Sequence, residues 1–511
     1  MLFNSFVFIF VYLPVVIVIF FFLGRQKNRA WASAWLALAS LIFYGYWDYR
    51  YLPLLLASIA FNYWAGSCIL QAVIPVRKYW LVFAVVLNLL LLAYFKYANF
   101  FLSTISFLGS THFDAMDIVL PIGISFYTFT QIAFLVDTYQ GKVKEYSFIH
   151  YVLFVTYFPH LIAGPVLHHK EMMPQFADDR TYLPKGDNIA VGLSIFVIGL
   201  SKKILIADNI APLANPVFSP DAHPQLIEAW IGALAYTFQL YFDFSAYSDM
   251  AIGLSRLFGV KLPLNFNSPY KAKNISDFWR KWHMTLSRFL RDYLYIPLGG
   301  SRTGSFNRYR NLMATMLLGG LWHGAGWTFI VWGGLHGIYL VVNHSWQFVM
   351  SKTKIRTGAI WAVSSQLITF LAVVVAWVFF RAPDIQTAID LLGAMVGLNG
   401  VSLPRGFEHS ASWFQYLPIS LSFNGIQWID FSGVGVPILL TAMLIAWFAP
   451  NTQEMLAQYE PCLEKISAPN SGFSSYARWA PSKLWGIIFS IVFVVCVLNM
   501  NQVSEFLYFQ F

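Results

Sequence analysis

Long apolar runs decide what this chain can fold into. Charged side chains are scarce in residues 5–24, 31–47, 52–74, 79–95, 118–139, 148–165 and 189–208. The same holds for 227–254, 310–331, 332–350, 359–381, 434–449 and 484–500. A helix needs roughly 17–25 apolar residues to cross the hydrocarbon of a bilayer, and roughly eleven to thirteen of these runs qualify. At that depth only helices and closed barrels satisfy every backbone N–H and C=O. The expected class is therefore an all-α polytopic integral membrane protein. Composition agrees, with 58% hydrophobic and 11% charged residues, where soluble domains carry about 25% charged. Aromatic residues make up 18% of the chain, and many Trp and Tyr flank the runs as interfacial anchors.

The formal charge of +9 does not indicate nucleic acid. Basic residues collect at the ends of apolar runs, and no basic soluble module with interleaved aromatics exists to bind it. Cys68, Cys462 and Cys496 give neither a disulfide framework nor metal-ligand spacing. Nothing basic precedes the first run, whereas Arg25, Lys27 and Arg29 follow it. That order predicts a retained helix, not a cleaved signal, with the N-terminus outside the cytoplasm. Alternation then puts Arg77-Lys78, Lys142-Lys144 and Lys202-Lys203 inside. It also puts the basic stretch Arg256–Arg310 outside, against its charge. A run near 210–260 or 310–350 is therefore expected to be re-entrant or broken, which is tolerated only in protein or along a cavity. Residues 398–433 and 451–482 read as loops or short surface elements. No repeat or inverted duplication is visible, and residues 1–511 read as one membrane domain.

The motif-rich part begins with NISDFWRKWHMTLSRFLRDYLYIPLGG (Asn274–Gly300). At 100° per residue, Ile275, Phe278, Trp279, Trp282, Leu286, Phe289, Leu290, Tyr293 and Ile296 share one arc. Asp277, Arg280, Lys281, Arg288, Arg291 and Asp292 take the other side, with His283 at the edge. Asn274 is the expected N-cap and Asp277 the first-turn acid; Pro297 and Gly299-Gly300 end the helix. A Trp-rich face opposite a basic one suits an interfacial amphipathic helix.

Of eleven histidines, His323 stands apart, embedded in LLGGLWHGAGWTF between Trp322 and Trp327. Gly320 and Gly324 form a small-xxx-small pair that permits close helix approach. A polar residue inside a span is a functional hypothesis by default, and a neutral imidazole suits general-base work. His336 lies about 220° away on one continuous helix, so the two could converge only if Gly333-Gly334 breaks it. A second cluster, YFDFSAYSDMAIG (Tyr241–Gly253), holds Asp243 and Asp249, with Ser245 one turn before Asp249. Carboxylates there should face a hydrated cavity or a basic partner such as Arg256 or Arg288. YFPHLIAGPVLHHKE (Tyr157–Glu171) reads as a broken helix end around His160, followed by His168-His169. No metal is expected there, because HxxxH and HxxHH spacings are missing. The P-loop, GxGxxG and GxSxG motifs are absent too.

Taken in order, YFDFSAYSDMAIG, NFNSPYKAKNISDFWRKWHMTLSRFLRDYLYIPLGG and LWHGAGW resemble the membrane-bound O-acyltransferase (MBOAT) family. The likeness is densest over about 240–345 and strongest to the bacterial alginate O-acetylation branch (AlgI), with DltB more distant; the C-terminal FLYFQF (Phe506–Phe511) looks like that branch too. The resemblance implies a helical ring around a central funnel or tunnel, with re-entrant helices. It implies His323 as catalytic histidine and His283 as the second family position. It implies a cytoplasmic acetyl thioester, acetyl-CoA, as donor substrate with no bound cofactor, drawn by Arg280, Lys281, Arg288 and Arg291. Asp243, Asp249, Ser245, Trp322 and Trp327 are then expected to line the path. The acetyl group would reach an extracytoplasmic polysaccharide of alginate type, through a periplasmic acceptor protein or directly, from the bacterial inner membrane. The rival reading is a transporter or channel of a polymer-export system with Asp243, Asp249 and His323 along the path. Transporters often show duplicated halves, and none is visible here.

Overall fold

A computed structural model describes residues 1–109, 113–143, 146–302, 304–353, 358–403, 421–422, 428–429, 433–468, 477–500 and 506–507. The helices are α1 Leu13–Gly24, α2 Ala30–Gly45, α3 Leu52–Gln71, α4 Ile74–Leu92, α5 Ala98–Gly109 and α6 Ile124–Tyr139. There follow α7 Phe148–Thr156, α8 His169–Ala177, α9 Gly186–Ser201, α10 Asp208–Ala214 and α11 Leu226–Leu257. Then come α12 Ile275–Trp279, α13 Met284–Leu290, α14 Ser305–His323, α15 Trp327–Ser351 and α16 Ala359–Arg381. The last are α17 Ile385–Met395, α18 Gly435–Phe448, α19 Thr452–Met455 and α20 Lys483–Leu498. The one sheet among the described residues is a parallel pair, Val401–Ser402 with Leu421–Ser422.

Four helical stretches among the described residues are long and apolar enough to cross a bilayer: Tyr49–Gln71, Ile74–Gly109, Gly186–Phe218 and Ala359–Arg381. The chain is an all-α, multi-pass membrane protein. At its centre α11, 32 residues long, is buried on nearly every side. It crosses α9 antiparallel on glycines. A Cβ on Gly253 would stand 2.6 Å from the Gly192 carbonyl oxygen, and one on Gly199 2.8 Å from that of Ala246.

The expected alternation fails earlier than the charge pattern suggested. The run 148–165 does not cross. α7 has nine residues, about 14 Å of helix against about 30 Å of hydrocarbon. The chain then turns through Tyr157–Gly164 and returns to the end where it started. Every residue from Tyr157 to His169 is buried, as irregular backbone at membrane depth requires. Neighbouring hydroxyls serve its amides: Phe158 N–H donates to Ser40 Oγ at 3.1 Å and Val166 N–H to Thr285 Oγ1 at 2.9 Å.

This re-entrant segment brings several basic stretches to one end. Arg29 pairs with Asp179 at 2.8 Å, and Arg288 with Glu171 at 2.8 Å. Tyr293 OH donates to Asp137 Oδ2 at 2.9 Å, and Gln175 Nε2 to the Lys261 carbonyl at 2.9 Å. The basic stretch Arg256–Arg310 thus shares one end of the molecule with Arg29 and the end of α6. Lys202-Lys203 is not a loop pair but part of a buried π-helical turn, Lys202–Ala207. The break expected within 210–260 or 310–350 falls at Gly324–Gly326, where α14 and α15 form a hairpin.

The helix expected over 274–296 is broken as well. Asn274 does cap α12, its Oδ1 accepting the Asp277 N–H at 2.9 Å. The helix stops after Trp279, and His283 adopts left-handed geometry (φ 42°, ψ 53°) before α13. An extended neighbour takes the freed backbone groups: Asn267 N–H donates to the Lys281 carbonyl and Met284 N–H to that of Asn265, each at 2.9 Å. Phe278, Trp282, Leu286 and Phe289 are buried in protein, so the apolar arc packs on the core and not on lipid.

The α14–α15 hairpin closes on Gly320 and Gly333. A Cβ on Gly320 would run into the Phe329 carbonyl, and one on Gly333 into that of Met316. Gly333→Val is expected to destabilise by about 1–3 kcal/mol through overpacking, read as a lower Tm of the purified protein. Gly334→Ala, whose Cβ would meet only Leu317 Cδ2 at 3.5 Å, should leave Tm unchanged.

Candidate active site

His323 is the last residue of α14, buried to 5% exposure. The last carbonyls of a helix have no partner within it, and here the π-helical turn Ala93–Tyr97 supplies partners. Lys96 Nζ donates to the Trp322 carbonyl at 2.6 Å and to the His323 carbonyl at 3.2 Å. Tyr97 OH donates to the Leu321 carbonyl at 2.8 Å. The imidazole sits in an aromatic cage, its centroid 4.9 Å from Trp322, 5.0 Å from Trp332 and 5.2 Å from Phe380. The chain reverses immediately afterwards because Gly324 lies against the Phe329 ring, where a Cβ would collide.

His283 lies across from it, ring centroids 6.4 Å apart, with 0% exposure. The left-handed turn that interrupts the amphipathic pattern is what points this ring inward. Its Nδ1 meets Asn265 Oδ1 at 2.9 Å, and the same oxygen accepts from Thr285 Oγ1 at 2.9 Å. Asn265 Nδ2 donates in turn to Ser248 Oγ at 3.2 Å. His336 converges too, through the Gly324–Gly326 turn and not through a break at Gly333-Gly334. Trp332 stands between the two rings, 4.9 Å from His336. Trp279 Nε1 donates to His336 Nδ1 at 3.3 Å.

Two cavities lie along α14, and His323 lines the first of them. One, about 130 Å³, is lined by Trp47, Lys96, Pro121, Ser125, Trp322 and His323 itself. The other, about 790 Å³, opens at the basic end among Arg280, Arg288, Arg291, Arg308, His344 and Glu464. Its deep wall includes Leu290 and Met316, and Met316 stands about two helical turns from His323 along α14. Glu171 grips Arg288 with both oxygens, at 2.8 and 3.1 Å, and Asp292 bonds Arg291 at 2.7 Å. Glu464 accepts the Leu264 N–H at 2.6 Å; burial raises its carboxyl above the usual range, more than this bond lowers it. His168 is buried beside Arg288. Its Nδ1 lies 3.1 Å from Tyr293 OH.

Several expected path residues lie elsewhere. Asp243 and Asp249 line neither cavity. Asp243 pairs with Lys203 at 2.7 Å and accepts the Leu507 N–H at 2.9 Å. Asp249 pairs with Lys202 at 2.6 Å and accepts from Thr452 Oγ1 and Gln453 Nε2. Their partners are these lysines, not Arg256 or Arg288, because α9 crosses α11 antiparallel and sets the π-helical turn that follows it opposite both carboxylates. Ser245 is buried between them on α11 and also lines neither. Trp327 opens α15 at 52% exposure, on the outer side of the turn. Lys281 is tied to Asp277 at 2.9 Å and lies off the Arg-rich cavity. His160 Nε2 meets the Phe154 carbonyl at 3.0 Å, bracing the re-entrant turn, and His169 Nδ1 lies 3.1 Å from Asp137. Of FLYFQF, residues 508–511 lie outside the described residues, as does Lys144. Sequence reasoning passed over Lys96 and Asn265. A lysine in the middle of an apolar stretch was the available signal for the first.

The model of MBOAT, the membrane-bound O-acyltransferase family, matches residues 87–381, which include Lys96, His283 and His323. The chain is 44% identical to the probable alginate O-acetylase AlgI of Pseudomonas aeruginosa, over 100% of both proteins. It is 48% identical to the peptidoglycan O-acetyltransferase of Helicobacter pylori, over 79% of this chain and 81% of that protein. A teichoic acid D-alanyltransferase of Bacillus subtilis is 27% identical over 52% of this chain and 68% of that protein.

Proposed function

Because this chain belongs to the membrane-bound O-acyltransferase family, we propose that it moves acetyl groups from a cytoplasmic thioester to an extracytoplasmic polysaccharide. The observation that carries this reading is His323 lining one cavity while an Arg-rich cavity reaches Met316 on the same helix. The Arg-rich end is the cytoplasmic one, since Arg25, Lys27 and Arg29 share it, which leaves the N-terminus periplasmic and the protein in the inner membrane. Acetyl-CoA enters there, its phosphates answered by Arg280, Arg288 and Arg291. The acceptor hydroxyl, on a sugar or on a periplasmic partner, comes to the small cavity. His323 removes the hydroxyl proton as the oxygen bonds to the acetyl carbon; the C–S bond breaks, and the proton passes to the leaving thiolate. His283, fixed by Asn265, sets the opposite wall. The aromatic cage excludes competing water. Alginate-type polymer is the acceptor the AlgI likeness favours, with peptidoglycan as the second choice from the Helicobacter relative. Residues 1–511 act as one membrane domain.

Purified protein in proteoliposomes should turn over acetyl-CoA and pass labelled acetate to a hydroxyl acceptor. Solute uptake without acyl turnover would instead favour the transporter reading. Replacing Arg280 with glutamine is expected to raise KM for acetyl-CoA about tenfold or more, since a charged hydrogen bond contributes about 1.5–3 kcal/mol. kcat should change little, as for any contact made equally in ground and transition states. Arg288 and Arg291 are poorer probes, being held by Glu171 and Asp292.

A further inference from the structure

Lys96 has no part in the steps above, yet among the described residues it is the one lysine or arginine lining the His323 cavity. It stands inside Ile74–Gly109, a stretch with mean hydropathy of 2.0. Among the described residues no carboxylate lies within ion-pair distance of it. Its neighbours are instead the Trp322 and His323 carbonyls at 2.6 and 3.2 Å, and Ser125 Oγ at 3.5 Å. An ionisable residue at membrane depth is costly and calls for a reason. Tyr97, next in sequence, already shows that a neutral hydroxyl suffices to bond a terminal carbonyl of α14.

Resting on the acyl-transfer reading, we propose that Lys96 is a positioning residue for His323. Its Nζ bridges the last two carbonyls of α14, so the backbone that carries the imidazole is anchored at the final residue. The carbonyl end of a helix carries roughly half a negative charge, and an amine that reaches two carbonyls holds it more firmly than a hydroxyl bonded to one. The anchor matters because α14 ends at the catalytic ring. No further turn follows to hold it, and the chain departs at once through Gly324–Gly326. A displacement of about 1 Å at a reacting group costs on the order of 10²-fold in rate.

The test compares Lys96→Ala, Lys96→Arg and Tyr97→Phe with the unsubstituted protein in proteoliposomes. Folded yield, Tm, and kcat and KM for acetyl-CoA are measured for each. Lys96→Ala is expected to lower kcat on the order of 10²-fold at unchanged KM, with folded protein recovered. Lys96→Arg should retain most of kcat. Methylammonium should restore turnover to Lys96→Ala saturably, by filling the vacated place beside the cavity, and should do nothing for Tyr97→Phe. A Lys96→Ala kcat within about twofold of normal would overturn the proposal, as would a loss that tracks folded yield and ignores methylammonium. A raised KM at normal kcat would also overturn it, assigning Lys96 to donor binding. Absence of acetyl transfer by the unsubstituted protein would overturn the acyl-transfer reading and the proposal together; normal transfer by both it and Lys96→Ala would overturn the proposal alone.

Discussion

His323→Gln is expected to lower kcat/KM for acetyl transfer by about 10²–10⁴-fold, the usual contribution of a positioned general base. Glutamine keeps most of the side-chain volume inside the Trp322, Trp332 and Phe380 cage, so folding should survive. It cannot accept and release a proton near neutral pH, and the proton of the attacking hydroxyl then has no recipient at the cavity wall. KM for acetyl-CoA should stay near normal, because the arginines that meet the donor line the other cavity, which His323 does not. Turnover measured with acetyl-CoA in proteoliposomes, alongside Tm and folded yield, checks this. Activity within about tenfold of normal in a well-folded His323→Gln protein would remove the imidazole from the reaction, since the smallest usual contribution of a general base is about 10²-fold.

How much of this arrangement was legible beforehand depended on whether its cause was local. His323 was legible, as a polar ring inside an apolar run is conspicuous in one dimension. So was the disturbance around Pro159, Gly164 and Pro165, although 148–165 has the length of a crossing and read as one. The failure at 274–296 has a definite origin. The 3.6-residue periodicity runs straight through His283, and nothing local reports that Asn265 and Asn267 take the backbone groups of Lys281 and Met284. A left-handed histidine is made by that tertiary contact. The same holds for Asp243 and Asp249. Their lysines lie 40 and 47 residues earlier, and only the glycine-lined crossing of α9 and α11 brings them together. Lys96 was overlooked for the opposite reason. Ending the span at residue 95 placed the lysine outside, whereas the helix continues through a π-helical turn and carries it to the end of α14.

The second large effect is expected at that crossing, and it separates the two functional readings. Lys203 and Asp243 side chains are each only 2% exposed and lie 2.7 Å apart, with Asp208 2.9 Å from the same ammonium. Lys203 Nζ also stands 4.7 Å from the centre of the Phe506 ring, so the group joins the turn after α9, α10, α11 and Phe506. Lys203→Met would strand a carboxylate with no water to solvate it. Breaking a buried pair from one side costs about 3–5 kcal/mol, and a Tm drop or loss of folded protein is the expected result. Adding Asp243→Asn should recover most of the loss, because the amide oxygen still accepts the Leu507 N–H while the stranded charge is gone. The coupling between the two substitutions, read from the full double-mutant cycle, should therefore be large and favourable. A permeation path demands the reverse. A hydrated Asp243 would tolerate Lys203→Met with little change in Tm, and transport would change instead. An unshifted Tm in Lys203→Met would place water at this carboxylate and restore the transporter reading, whereas the expected drop leaves α11 as a structural axis beside the acyl-transfer site.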